Sequence, residues 1–312
     1  MKLRTRPFLY IGGASGTFTP ANTSFKYENP EDEFPFGYPL HRNYFGSSTS
    51  SFLVGNGEEA AFIDCGTGVV QVSRLVGILE NPKITKVYGF FSHYHVDHTL
   101  AIQNNALLFR KGLVQTLYGP YLGAKLDFEK LFKRSFETEQ WPISPAKMGV
   151  SHIFAQFNPG ARLDVWKGIT THELPHPEGA SAYRFHFEEG DIVIATDAEL
   201  STKANRESYA EFVSGTRYLY VDMQYRDKEY NGEVGIGGGP ALSRIGWGHS
   251  TPTLIAETLS LCKVLPQTVL AGHHDPMRTD QDLAAFEGEV KNQFGPLGIE
   301  IIFARENKFY KV

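Results

Sequence analysis

Two cysteines in 312 residues, Cys65 and Cys262, are too few to staple a fold with disulfides. That excludes a disulfide framework and makes a cytoplasmic setting the simplest expectation. Long hydrophobic runs are missing as well. No stretch approaches the roughly 20 apolar residues that cross a bilayer, so no membrane segment is expected. The apolar start Phe8-Leu9-Tyr10-Ile11 breaks at Gly12-Gly13, too soon for the hydrophobic part of a signal peptide. Basic charge is not in surplus: 30 Lys and Arg against 35 Asp and Glu leave a net charge of -5. A general nucleic-acid binder would be basic, so nucleic acid is not expected as a general partner. The glycine-rich stretch at 232–239 lacks the Gly-Lys-Ser/Thr of a phosphate loop and reads as a loop flanking a site. No repeat or low-complexity linker divides the chain, so residues 1–312 are read as one domain.

The elements that are present alternate between strand and helix patterns. Leu9-Tyr10-Ile11 reads as a strand, followed by a polar loop through Asn29-Pro30-Glu31-Asp32-Glu33. Ser50 to Val54 and Ala60 to Asp64 flank Gly55-Asn56-Gly57, a hairpin signal. Helical spacing of apolar residues predicts helices over 68–79, 99–109, 121–137, 251–264 and 281–294. Thr251 with Pro252 supplies a helix start, a cap followed by proline at the first helical position. Strands are predicted at 87–91, 152–154, 169–174, 182–187, 192–196, 218–221 and 269–271. Strands with helices, then strands with helices again, predict an α+β fold of two packed sheets with helices outside.

The densest chemistry is His93-Tyr94-His95-Val96-Asp97-His98, directly after the apolar run 87–91. Histidines can sit inert in a loop, but three with an aspartate in six residues form the donor set that zinc, iron and manganese accept. In an extended loop His93 and His95 point to one side and can share a metal. Asp97 and His98, after a bend, can serve a second. Two metals need further ligands, and His176, Asp197 and His273 each follow a predicted strand. A lone histidine or aspartate at a strand end is a weak signal; the shared placement of the three strengthens it. Asp197, with two carboxylate oxygens, is best placed to bridge.

These residues resemble the metallo-β-lactamase-fold hydrolases, whose His-x-His-x-Asp-His hallmark stands here as His93, His95, Asp97 and His98. Asp64-Cys65-Gly66-Thr67-Gly68, Leu174-Pro175-His176-Pro177, Ala195-Thr196-Asp197-Ala198-Glu199 and Ala271-Gly272-His273-His274 resemble the other motifs of that family, so the likeness covers most of the chain. Gly246-Trp247-Gly248-His249-Ser250-Thr251 most resembles the branch of ribonuclease Z and cyclic phosphodiesterases. The resemblance implies a four-layer αββα sandwich and two divalent metal ions, Zn2+ first, with Mn2+ or iron as alternatives. By this likeness His93, His95 and His176 would hold the first metal, and Asp97, His98 and His273 the second. Asp197 and a hydroxide nucleophile would bridge them. His274 competes with His273 for the last position, and Asp64 would support a ligand histidine. Asp97, His249 and Asp222 are the expected catalytic residues, with His249 protonating the leaving group and Asp222 orienting it.

Two divalent cations, two aspartates and a hydroxide leave a net charge of roughly +1, suited to a small anionic phosphodiester. A metal-dependent phosphodiesterase is therefore the expected activity. A thioester, lactone or lactam hydrolase on the same fold, or a diiron redox protein, is the alternative. The basic Gly/Pro-rich arm of ribonuclease Z is not found, which weakens the case for a transfer RNA substrate. A homo-oligomer is compatible with the sequence.

Overall fold

The computed structural model describes residues 7–17, 44–56, 59–78, 86–112, 114–123, 126–137, 141–166 and 168–312. The basic start, the polar loop Asn29-Pro30-Glu31-Asp32-Glu33 and Gly57 of the expected hairpin turn lie outside these residues. The described residues build two seven-stranded sheets. The first contains β1 (Phe8–Gly13), β2 (Ser51–Gly55), β3 (Glu59–Ile63), β4 (Lys86–Phe90), β5 (Val114–Pro120) and β6 (Ile153–Phe157). The second contains β7 (Arg162–Leu163), β8 (Ile169–Leu174), β9 (Ala180–Phe185), β10 (Ile192–Ala195), β11 (Tyr218–Asp222), β12 (Thr268–Gly272) and β13 (Glu300–Phe303). The last strand, β14 (Lys308–Lys311), returns to the first sheet and pairs antiparallel with β1.

The two-residue period of a strand explains the layers. In β1, Leu9 and Ile11 face the other sheet, while Phe8 and Tyr10 face outward. In β10, Ile192 and Ile194 face inward, while Val193 and Ala195 join a second outer core. Both faces are covered, so these strands read as nearly continuous apolar runs. Between the sheets, Phe52 meets Tyr220 edge-on at 4.5 Å and Phe90 meets Phe185 edge-on at 5.9 Å. Helices α1 (Val69–Ile78), α2 (Val96–Thr99) and α3 (Phe128–Arg134) lie with the first sheet. Val69, Val72, Phe128 and Phe132 pack into its outer core. Helices α4 (Lys203–Val213), α5 (Asp227–Tyr230), α6 (Pro252–Leu259) and α7 (Asp280–Phe294) follow. Of these, α4, α6 and α7 bury Tyr209, Ile255 and Phe286 against the second sheet. The result is the expected four-layer αββα sandwich.

Strand direction places the site. β3 to β6 run parallel, as do β10 to β13. β8 and β10 are both antiparallel to β9, so they share a direction. The loops after β3, β4, β8, β10, β11 and β12 meet at one edge of the sandwich. Ligand sites of open α/β sheets lie at such carboxyl ends. No helix among the described residues is long and apolar enough to cross a membrane.

Candidate metal centre

Three non-glycine residues at strand ends adopt the left-handed conformation: Asp64 directly after β3, Asp197 two residues after β10 and His273 directly after β12, each at φ 59°. Such positions cost free energy for side-chain-bearing residues and cluster at functional sites. Here they turn the chain sharply, aiming Asp197 and His273 into one cluster and Asp64 at Ser92 and His98 behind it.

Two groups of donors form there. The rings of His93, His95 and His176 make a near-equilateral triangle, with centroids 4.6, 4.8 and 4.9 Å apart. Beside it, Asp97, His98, Asp197 and His273 bring one ligand atom each within 4.8 Å of one another, all four buried. Asp197 joins the groups: its Oδ2 lies 3.7 Å from His93 Nε2 and 3.2 Å from His273 Nε2, and its Oδ1 lies 3.3 Å from His98 Nε2. The Thr196 hydroxyl donates to Asp197 Oδ1. His274 is placed apart. Its Nε2 meets the carbonyl of Ala304 at 2.9 Å and its ring stacks on Phe303.

Hydrogen bonds at the far nitrogens assign the tautomers. Asp64 accepts from Ser92 N and Ser92 Oγ, both at 2.7 Å, and from His98 Nδ1 at 2.8 Å. With the Ser92 proton committed to Asp64, His93 Nδ1 donates to Ser92 Oγ at 3.1 Å. His176 Nδ1 donates to the Gly248 carbonyl at 3.0 Å. Each ring therefore turns its Nε2 toward the cluster. His93 Nε2 and His98 Nε2 are buried with no hydrogen-bond partner. Lone pairs and carboxylate oxygens that converge in a buried space repel unless a cation lies among them. Neutral imidazole and carboxylate are also the donors that divalent metals bind, so the residues fit a metal.

The electrostatics agree. Burial, with help from the His98 charge, holds His93 well below the usual histidine range, and burial lowers His176. Both favour the neutral, ligating form. Burial opposes charge on His273, but Asp197, Asp97 and Asp222 outweigh it and push His273 up to about 9. Burial also opposes charge on Asp97, yet His98 and His273 hold its carboxyl far below the ordinary value. The second group thus takes up protons where a metal could stand.

His249 borders both groups. Its Nδ1 donates to Asp222 Oδ2 at 2.6 Å, and its ring stacks 4.7 Å from His273. It lines an open cleft of about 370 Å³, together with His95, His176 and Trp247. A residue not expected from the sequence holds this loop. Glu199, nearly buried, accepts from Gly246 N at 2.8 Å, Gly248 N at 2.9 Å and Tyr230 Oη at 2.5 Å. Its only sequence signal was its place two residues after Asp197. Ser92 and Tyr220, whose hydroxyl accepts from His273 N at 2.9 Å, are not expected either.

No protein-family model matches the chain. Among curated proteins, the lactamase-like protein nscB of Neosartorya fischeri is 29% identical over 120 residues, 37% of this chain and 32% of that protein. The nscB protein of Aspergillus fumigatus is 28% identical over the same shares. These matches span about a third of the length of the curated relatives. Solved structures match over nearly the whole chain. The metallo-β-lactamase fold protein YhfI from Bacillus subtilis has a TM-score of 0.64 at 17% identity, covering 99% of this chain and 100% of its own. A diphosphatase from the PhnP family gives 0.61 at 16% identity, with 98% of each chain covered. The short form of human tRNase Z gives 0.53 at 15% identity, covering 97% of this chain and 98% of its own. Two sheets between helix layers, with convergent histidines and aspartates at the strand ends, give this protein the metallo-β-lactamase fold.

Proposed function

We propose that this chain is a dinuclear metal-dependent phosphodiesterase. His93, His95 and His176 would hold one cation, Asp97, His98 and His273 the other, and Asp197 both. When bound, two divalent cations supply Lewis acidity and a water nucleophile at neutral pH. The two carboxylates of the cluster would leave two divalent cations with net positive charge, which favours an anionic substrate. Asp64 and Ser92 orient His98 and His93 toward that centre.

The observation that carries the phosphodiesterase reading is the His249–Asp222 pair. Asp222 fixes the ring through Nδ1. A ring nitrogen of His249 lies within 4.8 Å of ligand atoms of His176 and Asp197. From there His249 can deliver a proton to a departing alkoxide, the step that limits cleavage of a poor leaving group. Two structural neighbours, a diphosphatase and a tRNase Z, bear names of phosphate chemistry that accord with this reading.

Parallel assays test it. The zinc- or manganese-loaded protein is expected to hydrolyse bis-p-nitrophenyl phosphate faster than matched thioester and lactone substrates. Preference for a thioester or lactone, with no phosphodiester turnover, would overturn it.

A further inference from the structure

One charge on the cleft wall has no role in the chemistry above. Arg244 is only 8% exposed, yet it lines the cleft beside Gln224, Tyr225 and Trp247. Arg278 is the other buried arginine among the described residues, and it has carboxylate partners, as do the half-buried Arg305 and Arg184. Arg278 pairs with Glu229 and Asp282, Arg305 with Glu287, and Arg184 with Asp191. Arg244 has no such partner among the described residues. Its hydrogen bonds use Nη1 alone, to the carbonyls of Glu229 at 2.8 Å and Leu242 at 2.9 Å. Its guanidinium lies over the rings of Tyr225 and Trp247, 5.3 and 5.8 Å from their centroids. Carbonyls and ring faces disperse a charge without neutralising it. A guanidinium withdrawn from water without a counter-ion is costly to hold. Its planar fork of donors suits a carboxylate or phosphate.

A second polar residue lines the same cleft. Gln224 is 1% exposed and also lines the cleft, and its Oε1 has no partner. Its Nε2 reaches Thr17 Oγ1 at 3.3 Å and Asp275 Oδ2 at 3.5 Å. Asp275 also lines the cleft, as do Asp97 and Asp197 of the cluster. Asp275 Oδ1 accepts from Met277 N at 2.9 Å. Trp247 and Met277, 50% and 37% exposed, continue the wall outward as apolar surface.

We propose that Arg244 is the specificity-determining residue of an anion subsite beside the metal cluster. The substrate would then carry a second anionic group, a carboxylate or phosphate, beyond its scissile ester. Its apolar part lies against Trp247 and Met277. The inference rests on the hydrolase reading of the same cleft.

The test uses ligands that cannot be hydrolysed. Propylphosphonate is compared by calorimetry with ω-carboxyalkylphosphonates and alkane-α,ω-diphosphonates of three- to five-carbon spacers, on zinc-loaded protein. The wild type is expected to bind a two-anion ligand at least about tenfold tighter than propylphosphonate at one or more spacer lengths. The carboxylate and phosphonate arms show which second anion is preferred. R244Q is expected to abolish the preference, and R244K, which keeps the charge but loses the fork, to reduce it at least about threefold. R244K decides the matter if R244Q does not fold. No preference in the wild type, including no binding at all, overturns the subsite, as does a preference unchanged in the variants. Bis-p-nitrophenyl phosphate turnover is measured separately. An Arg244-dependent preference without turnover would keep the subsite and remove the phosphodiesterase reading.

Discussion

Replacing Gly248 with alanine strikes His176, a proposed metal ligand, through the backbone that packs against it. Gly248 sits at φ +95°, a conformation that costs a non-glycine residue about 1–2 kcal/mol. The added Cβ would lie 2.5 Å from both His176 Cε1 and Pro177 Cδ, and closer still to His176 Nδ1. Ordinary carbon contacts begin near 3.5 Å, so the ring must withdraw by about 1 Å. The 3.0 Å hydrogen bond from His176 Nδ1 to Gly248 O is then lost as well. Metal–ligand distances tolerate about 0.2 Å, so the His93–His95–His176 group should bind zinc at least about 100-fold more weakly. Gly246 is the control. It sits at φ +86°, but a Cβ there meets nothing within 4 Å. G246A thus carries a similar backbone cost without the collision. Zinc titration of metal-stripped protein against a competing chelator reads the outcome. Wild type and G246A should take up two equivalents tightly, and G248A one. Two tight equivalents in G248A, or one in G246A, would refute the reasoning.

Other perturbations separate the roles further. D222N keeps the size of the side chain but removes the charge that fixes His249. Phosphodiester turnover should fall by about 10²-fold with zinc content unchanged, as measured by kcat and metal analysis on the same sample. H273A should lose the second zinc. H274A should keep both and lose about 2 kcal/mol of stability, because its buried ring packs on Phe303; urea unfolding with metal analysis distinguishes the two. The pH dependence follows from His273, which titrates near 9 when folded and near 6.5 when unfolded. A raised pKa gives stability that is complete below about 6.5 and is lost as pH rises through about 9. Metal-free protein should therefore lose stability across that window. Zinc binding within it should release protons, seen as buffer-dependent heats in calorimetry; a flat stability profile with no proton release would count against the assignment.

The centre of the site was legible because its donors are close in sequence or follow apolar runs. His93 to His98 span one loop, and His176, Asp197 and His273 each end a strand whose apolar pattern is plain. Two sheets with outer helices were legible for the same reason. What was not legible depends on long-range contacts or weak periodicity. Helix α4 was missed because its exposed faces are polar and only Tyr209, Ala210 and Val213 are buried. Strands β5, β13 and β14 were missed because pairing, rather than local pattern, defines them. The helix expected over 99–109 breaks into 3-10 turns at Ile102–Asn104 and Ala106–Phe109, where the Asn105 side chain accepts from Leu107 N and restarts the chain. Of the helix expected over 121–137, of which residues 124–125 lie outside the described ones, the described residues form only Phe128–Arg134, with Asp127 capping its start. Glu199 grips amides 47 and 49 residues away, and no local signal could announce that. The choice between His273 and His274 needed the backbone, since φ 59° at His273 sends the two adjacent rings to different places.

The most direct test is a single titration. Metal-free protein receives zinc in steps while bis-p-nitrophenyl phosphate turnover is recorded. The account expects almost no turnover at zero zinc, and a rise that stops at two equivalents per chain. Full activity in the presence of chelator, a plateau at one equivalent, or no turnover in the fully loaded protein would contradict a dinuclear phosphodiesterase.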